Sequence, residues 1–210
     1  MSPEDYIQID FVDLDHYRII PYLATKLAAK SYLEIGCADN QCFDSVPVAH
    51  KVGVDPERGG TVRMTSDEFF SRNTEKFDLI FVDGLHKYEQ VSKDIENSLS
   101  CLNAGGIIVM HDILPSNRFN AVPNKKDKKN TGVVAWNGDV WRAAFDMSCR
   151  NDVIFRAVRC LHGVGIIQVG QNHNPLKITL TKDWEFYRDH WHLLPHVSSL
   201  NDIDAVFFSQ

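Results

Sequence analysis

Residues 77–112, FDLIFVDGLHKYEQVSKDIENSLSCLNAGGIIVMHD, leave the chain few choices of fold. Phe77–Val82 is a short, nearly continuous apolar run, the mark of a strand buried on both faces. It ends at the turn signal Asp83-Gly84. Tyr88, Val91, Ile95, Leu99 and Leu102 recur at spacings of three and four, forming one apolar helix face. Asn103-Ala104-Gly105-Gly106 is expected to stop that helix with a left-handed glycine cap. Ile107–Met110 is a second apolar strand, ending at His111-Asp112. Parallel strands joined by a helix cross over right-handedly, so both end at one sheet edge. Open α/β sheets bind ligands at that edge. Asp83, His86, His111 and Asp112 are therefore expected to converge in one cleft. Core packing does not call for four titratable groups there, and this makes the cluster the main functional signal.

The same alternation extends in both directions. Tyr17–Ala29 reads as a helix, with Pro21 tolerable only in its first turn. Ser31–Ile35 and Lys51–Val54 read as strands, with a short helix over Gln41–Ala49 broken near Pro47. Ser66-Asp67-Glu68 resembles a helix N-terminus. Val133–Met147 returns to helix, and Val153–Cys160 and Val164–Val169 form a close antiparallel strand pair. Asp183–Leu194 is aromatic-rich and helical in pattern. Two stretches stand apart. Residues 1–30 begin with an acidic arm that suits a lid or a surface tail. Residues 116–131, with Lys125, Lys126, Lys128 and Lys129, read as a mobile insertion.

With 210 residues and no repeat or second-domain boundary, residues 1–210 are expected to form one domain. The net charge of −6 disfavours nucleic acid and anionic membrane as partners. No apolar run approaches a membrane span, and the N-terminus lacks a signal-peptide core. The five cysteines include no CxxC pair and are odd in number, so they are expected to be reduced thiols of a cytoplasmic protein.

The first strand leads into Glu34-x-Gly36, where a tight turn lets backbone amides approach a ligand. Asp55 ends the next strand, where a carboxylate can take both hydroxyls of a ribose. A dinucleotide and S-adenosylmethionine (SAM) both use that arrangement. The dinucleotide needs three glycines to cradle a pyrophosphate, and Gly36, Ala38 and Asn40 match it poorly.

LEIGCADN, VGVDPE, FDLIFVDGLHKYEQVSKDI, NAGGIIVMHD and LHGVGII, in this order, resemble a class I SAM-dependent methyltransferase. They are most similar to the small-molecule O-methyltransferase branch. The resemblance spans roughly residues 30–170 and implies a Rossmann-like, doubly wound α/β fold. That fold has a mostly parallel seven-stranded sheet with one antiparallel strand. It implies that Glu34, Gly36 and Asp55 contact SAM, that Ser66 or Asp67 lies near the adenine, and that Asp83 borders the cofactor. In related catechol and sugar enzymes, one acid after a central strand and a pair after the next hold a divalent metal. Asp83 and Asp112 match, and His111 replaces the first acid of the pair. Oxygen ligands suit magnesium, whereas a histidine shifts preference toward manganese, iron or zinc. An orienting hydrogen bond beside SAM is the other role open to His111. His86 stands where those enzymes carry the base that deprotonates the acceptor hydroxyl, and a histidine suits this role. Capping of the following helix is its alternative.

The expected activity is methyl transfer from SAM to an oxygen of a small hydroxylated metabolite or sugar. A metal-dependent hydroxylase on the same scaffold and a non-catalytic SAM-binding protein are the rivals. The acceptor's identity and the choice between monomer and homodimer stay open. His190, His192 and His196 fit no standard zinc spacing, and the stretch Trp136-Asn137-Gly138-Asp139-Val140-Trp141 suits an acceptor pocket, with packing the alternative for its two tryptophans.

Overall fold

The computed structural model describes residues 2–128, 135–179, 181 and 183–209. Seven strands form one sheet: β1 (Ser31–Ile35), β2 (His50–Val54), β3 (Phe77–Val82), β4 (Leu102–His111), β5 (Val153–Val158), β6 (Val164–Val169) and β7 (His196–Val197). Their order is β2-β1-β3-β4-β6-β5-β7. β2, β1, β3 and β4 run parallel, β6 is antiparallel to both its neighbours, and β7 pairs parallel with β5. The expected mostly parallel sheet with one reversed strand is therefore present. Its seventh strand is the two-residue β7, which is too short to leave a periodic signal.

Among the described residues, seven α-helices flank the sheet: α1 (His16–Lys26), α2 (Gln41–Ser45), α3 (Ser66–Arg72), α4 (Tyr88–Ser100), α5 (Trp141–Cys149), α6 (Trp184–His190) and α7 (Leu200–Phe207). Side chains of α1, α2 and α7 (Ile20, Leu23, Phe43, Ile203) pack with Tyr32, Phe81 and Val109 on one face. On the other, Val91 and Ile95 of α4 and Phe145 of α5 pack with Leu33, Ile80 and Ile108. Strand side chains alternate between faces, so a strand covered twice must be apolar throughout. β3 meets this requirement, with five of its six residues buried.

Several local expectations are revised. Pro21 is the sixth residue of α1, beyond its first turn. Helix α4 ends at Ser100 and its C-cap is Cys101, not the glycines. Gly105 and Gly106 instead lie in β4, whose register against β3 shifts between Phe77 and Leu79. The helix expected from Val133 begins at Trp141, and residues 133–134 lie outside the described set.

The expected insertion is partly fastened to the body. Ile7 N donates to Ser116 O at 2.9 Å, and Arg118 N donates to Asp5 O at 2.8 Å. Tyr6 and Asn117 form an antiparallel bridge. Asn117 and Asn120 are buried, so residues 116–121 pack against the body. The Asn117 side chain accepts from Phe119 N and Asn120 N and closes a turn, a role that composition alone does not separate from solvation. Residues 129–131 of that expectation lie outside the described set. Among the described residues no helix is long and apolar enough to cross a membrane.

Candidate active site

A cleft of about 540 Å³ opens at the C-terminal ends of β1, β2 and β3. Gly36, Asp55, Ser66, Asp67, Asp83 and His86 line it, together with Lys125. Six of the expected site residues are thus brought together around one space. Gly36 has φ +87°, and a Cβ there would lie 2.2 Å from the Asp83 carbonyl oxygen. Only glycine lets the turn after β1 pass so close to the turn after β3.

Asp55 makes more contacts with its own chain than expected. Its Oδ2 accepts from Cys37 N at 3.0 Å and Ala38 N at 3.1 Å. Its Oδ1 accepts from Glu57 N at 2.8 Å and Arg58 N at 2.9 Å. Burial favours the neutral acid, but these four amides hold the Asp55 carboxyl below its ordinary value. The carboxylate therefore ties the turn after β1 to the loop after β2, the two backbone walls of this end of the cleft.

Glu34 does not line the cleft. Strand alternation turns it to the face of Tyr32, whose hydroxyl donates to it, and of Cys42. Burial raises its carboxyl to about 8. The expected contact of Glu34 with SAM is thus replaced by a buried acid beneath the turn. Ser66 and Asp67 open α3 behind a capping box formed by Thr65 and Glu68. Gln90 of α4 reaches both, at 3.1 and 3.0 Å, and fixes this wall.

The four expected groups converge beside the cleft: Asp83 and His86 line it, and His111 and Asp112 are buried against them, outside its lining. His86 Nε2 lies 3.6 Å from Asp83 Oδ1, and His86 Nδ1 lies 3.0 Å from Asp112 Oδ2. His111 Nδ1 is 3.3 Å from Asp83 Oδ1 and 3.7 Å from Asp112 Oδ2. Burial opposes ionisation of Asp83, yet the two imidazoles hold its carboxyl well below the usual range. Burial and the neighbouring carboxylate push Asp112 upward. For His86, burial works against the charge, but Asp83 and Asp112 outweigh it and raise the ring to about 9. Asp83, His86 and Asp112 offer ligand atoms all within 4.8 Å of one another. Two carboxylates flanked by imidazoles are a donor set that fits a divalent cation such as manganese or iron.

The capping role for His86 finds no support. The N-cap of α4 is Lys87, and the Tyr88 amide donates to Asp139 Oδ1 at 2.8 Å. His86 Nδ1 is instead 2.8 Å from the Trp136 carbonyl oxygen, and its ring stacks on the Trp136 indole at 5.0 Å. Trp141 is a packing anchor, stacked among Phe186, Tyr187 and Phe145.

Three further residues join the site: His16 and His162 were not anticipated, and Asn137 belongs to the stretch expected at the acceptor pocket. His16, the first residue of α1, places its ring 4.3 Å from that of His111. Burial, and then the charge on His111, lower it to about 4. His162 Nδ1 lies 3.9 Å from Asp112 Oδ1, and Asn137 Nδ2 donates to that same oxygen at 2.9 Å. The position of His162 was recoverable. β6 runs antiparallel to β4 with Val164 opposite His111, so the turn before β6 must sit beside Asp112. Nothing local in the sequence marks His16.

Residues 37–113 match the model of a family described as a methyltransferase domain, less than half of the chain. That interval holds every site residue from Asp55 to Asp112. A search of curated proteins finds no match. Among solved structures, an O-methyltransferase from Bacillus cereus in complex with SAH is 16% identical, covering 75% of this chain and 83% of its own, with a TM-score of 0.52. TomG, an O-methyltransferase from Streptomyces achromogenes in complex with SAM, is 16% identical over 75% of this chain and 82% of its own (TM-score 0.54). A putative caffeoyl-CoA O-methyltransferase from Staphylococcus aureus is 17% identical over 77% of this chain and 86% of its own (TM-score 0.58). The chain therefore has the Rossmann-like fold of class I methyltransferases, with the methyltransferase-domain match lying across the segment that builds its cleft.

Proposed function

We propose that this chain is a SAM-dependent O-methyltransferase acting on a small hydroxylated molecule such as a sugar or polyhydroxylated metabolite. One observation carries the reading. A single cleft joins a glycine turn and amide-rich walls at one end to a carboxylate–imidazole cluster at the other. Its volume is in the range of small-molecule and cofactor sites. The methyltransferase-domain match and the SAM- and SAH-bound neighbours support the choice of cofactor.

In this reading Gly36, the walls tied by Asp55, and Ser66 and Asp67 hold SAM, and its methyl faces Asp83 and His86. The acceptor hydroxyl gives its proton to His86 Nε2. Its oxygen forms the new bond to the methyl carbon while the carbon–sulfur bond breaks, and that electron pair stays on sulfur as S-adenosylhomocysteine. Holding oxygen and methyl in line supplies much of the rate, and a positioned base adds roughly 100- to 10,000-fold. Asp83 and Asp112, with His111 beside both, are the residues that would hold a divalent cation. Bound there, the cation would lower the pKa of an acceptor hydroxyl. The five cysteines, none bonded to another, support a reducing, cytosolic setting.

Transfer of a radiolabelled methyl from SAM to a panel of catechols, sugars and polyols tests the reading. Turnover with at least one acceptor is the expected result. SAM binding without turnover on any of them would favour a binding protein. One observation favours a second reading: Asp83, His86 and Asp112 form a group of one imidazole and two carboxylates, a mixed nitrogen and oxygen set that suits iron. Oxygen consumption with ferrous iron, in the absence of methyl transfer, would establish it instead.

A further inference from the structure

We infer that Asn137 is a positioning residue, which with His162 behind it clamps the Asp112 carboxylate so that Oδ2 alone is turned toward His86 and His111 to receive a divalent cation. The inference rests on the reading of Asp83 and Asp112 as cation ligands.

Asn137 is fully buried. Its Nδ2 donates to Asp112 Oδ1 at 2.9 Å and to the His162 carbonyl oxygen at 3.3 Å. Its Oδ1 lies 3.3 Å from His162 Nδ1. Both partners of Nδ2 are acceptors only, so the amide has one acceptable orientation. The reverse orientation would set its oxygen against a carboxylate and a carbonyl. With the amide fixed, His162 must carry its proton on Nδ1 to satisfy Asn137 Oδ1. Asp112 Oδ1 is then committed to the Asn137 amide, with His162 on its outer side. Oδ2 is the atom left toward His86 and His111, at 3.0 and 3.7 Å.

The backbone points the same way. Asp112 adopts φ +62°, a left-handed conformation uncommon for any residue but glycine. Such a conformation persists where the surroundings over-determine it, and it gathers at functional sites. The segment that carries Asn137 is itself anchored. Asn137 N and Gly138 N both donate to Asn120 O, at 2.9 and 3.0 Å. Gly138 has φ +65°, and a Cβ there would lie 1.8 Å from the His86 carbonyl oxygen, so the segment is seated against the turn bearing His86. Trp136, Asn137, Gly138 and Asp139 thus contact, in order, the His86 ring, Asp112, the His86 backbone and the start of α4. Hydrogen bonds to a ligating carboxylate fix its orientation, and their loss typically costs 10–100-fold in metal affinity or activity.

The test is titration of Mn²⁺ alone, followed by the electron paramagnetic resonance signal of the free ion, with SAM affinity measured in parallel by calorimetry. Three proteins are compared: wild type, Asn137→Leu and His162→Ala. Asn137→Leu keeps the volume and removes the amide. His162→Ala removes only the outer partner, at a partly exposed turn. The inference predicts Mn²⁺ binding about 10- to 100-fold weaker in Asn137→Leu. It predicts a several-fold loss in His162→Ala, with SAM affinity within about twofold of wild type in both. A core-filling amide would leave Mn²⁺ affinity unchanged in the folded variants, and that result overturns the inference. If Asn137→Leu does not fold, His162→Ala decides alone by the same criterion. A wild-type protein that fails to bind Mn²⁺ removes the cation reading itself, and this separate failure is seen before any variant is compared.

Discussion

The carbonyl oxygen of Trp136 lies 2.8 Å from His86 Nδ1, and because a carbonyl can only accept, that nitrogen carries the proton. In neutral His86 the lone pair is then on Nε2, which faces Asp83 Oδ1 at 3.6 Å. A peptide carbonyl 50 residues further along the chain thus selects which imidazole nitrogen is available as a base. The same contact makes the neutral ring less accessible. The two carboxylates that raise His86 to about 9 also keep it protonated near neutrality.

His86→Ala is expected to lower the rate of methyl transfer by about 100-fold or more, the smaller end of what a positioned base contributes. SAM affinity should stay near wild type, and so should the melting temperature above about pH 9, where the ring's charge no longer contributes and His86 caps no helix. The wild-type rate should rise with pH as the ring, whose pKa is raised by Asp83 and Asp112, loses its proton. A variant that keeps its rate per folded molecule, or a rise with pH that survives without His86, would remove the base assignment.

Asp55→Asn exchanges one acceptor oxygen for a donor facing two backbone N–H groups. A hydrogen bond to a charged acceptor contributes about 1.5–3 kcal/mol, so a destabilisation of about 3 kcal/mol is expected in denaturant unfolding. SAM affinity should fall at least about tenfold, the equivalent of about 1.4 kcal/mol, because Asp55 holds both loops that wall this end of the cleft. Calorimetry showing lost stability with unchanged SAM affinity would confine Asp55 to a structural role.

What the sequence disclosed follows from how far each signal reaches. The strands Phe77–Val82 and Ser31–Ile35 were legible because burial on both faces demands an unbroken apolar run. The convergence of Asp83, His86, His111 and Asp112 followed from connectivity alone, since parallel strands deliver their ends to one edge. Glu34 was misplaced by one step of strand alternation: it is followed by Ile35, the residue that lines the cleft. Gly105 and Gly106 carry the signature of a helix cap but serve the irregular start of β4, and local propensity does not separate the two uses. Asn137 reaches Asp112 across 25 positions of sequence, a contact that exists only once the 116–121 loop and the turn before β6 are both in place.

Stability is expected to fall as pH rises from about 6.5 to 9, measured as melting temperature with a chelator present. His86 has an ordinary value of 6.5 and about 9 in the folded protein. Its contribution is complete below 6.5 and is lost as pH rises through 9. Glu34, moved from 4.5 to about 8, binds a proton in the folded state that the unfolded chain has released, so it acts in the same direction up to pH 8. The opposite contributions of His16 and His196, both lowered to about 4, are finished by pH 6.5. Glu34→Gln should therefore flatten the curve below pH 8 and leave the decline above it. A melting temperature that is level or rising across this window would contradict both assignments.

Removal of divalent cations is expected to abolish turnover, and one added metal should restore it. Asp83 and Asp112 are acids on neighbouring strand ends whose repulsion is offset in the cation-free protein by His86 and His111. A cation would take over that task, and its oxygen and imidazole surroundings favour manganese or iron over magnesium. Asp83→Asn removes one anionic ligand while keeping the shape. It should weaken Mn²⁺ binding by at least about tenfold and abolish activity at metal concentrations that saturate wild type. His86→Asn separates base from ligand: a base should leave Mn²⁺ affinity within about twofold, whereas a ligand should lose it along with Asp83→Asn. Full activity in chelator would show that the two carboxylates serve the acceptor or the imidazoles alone, and His86 would then carry deprotonation without help from a metal.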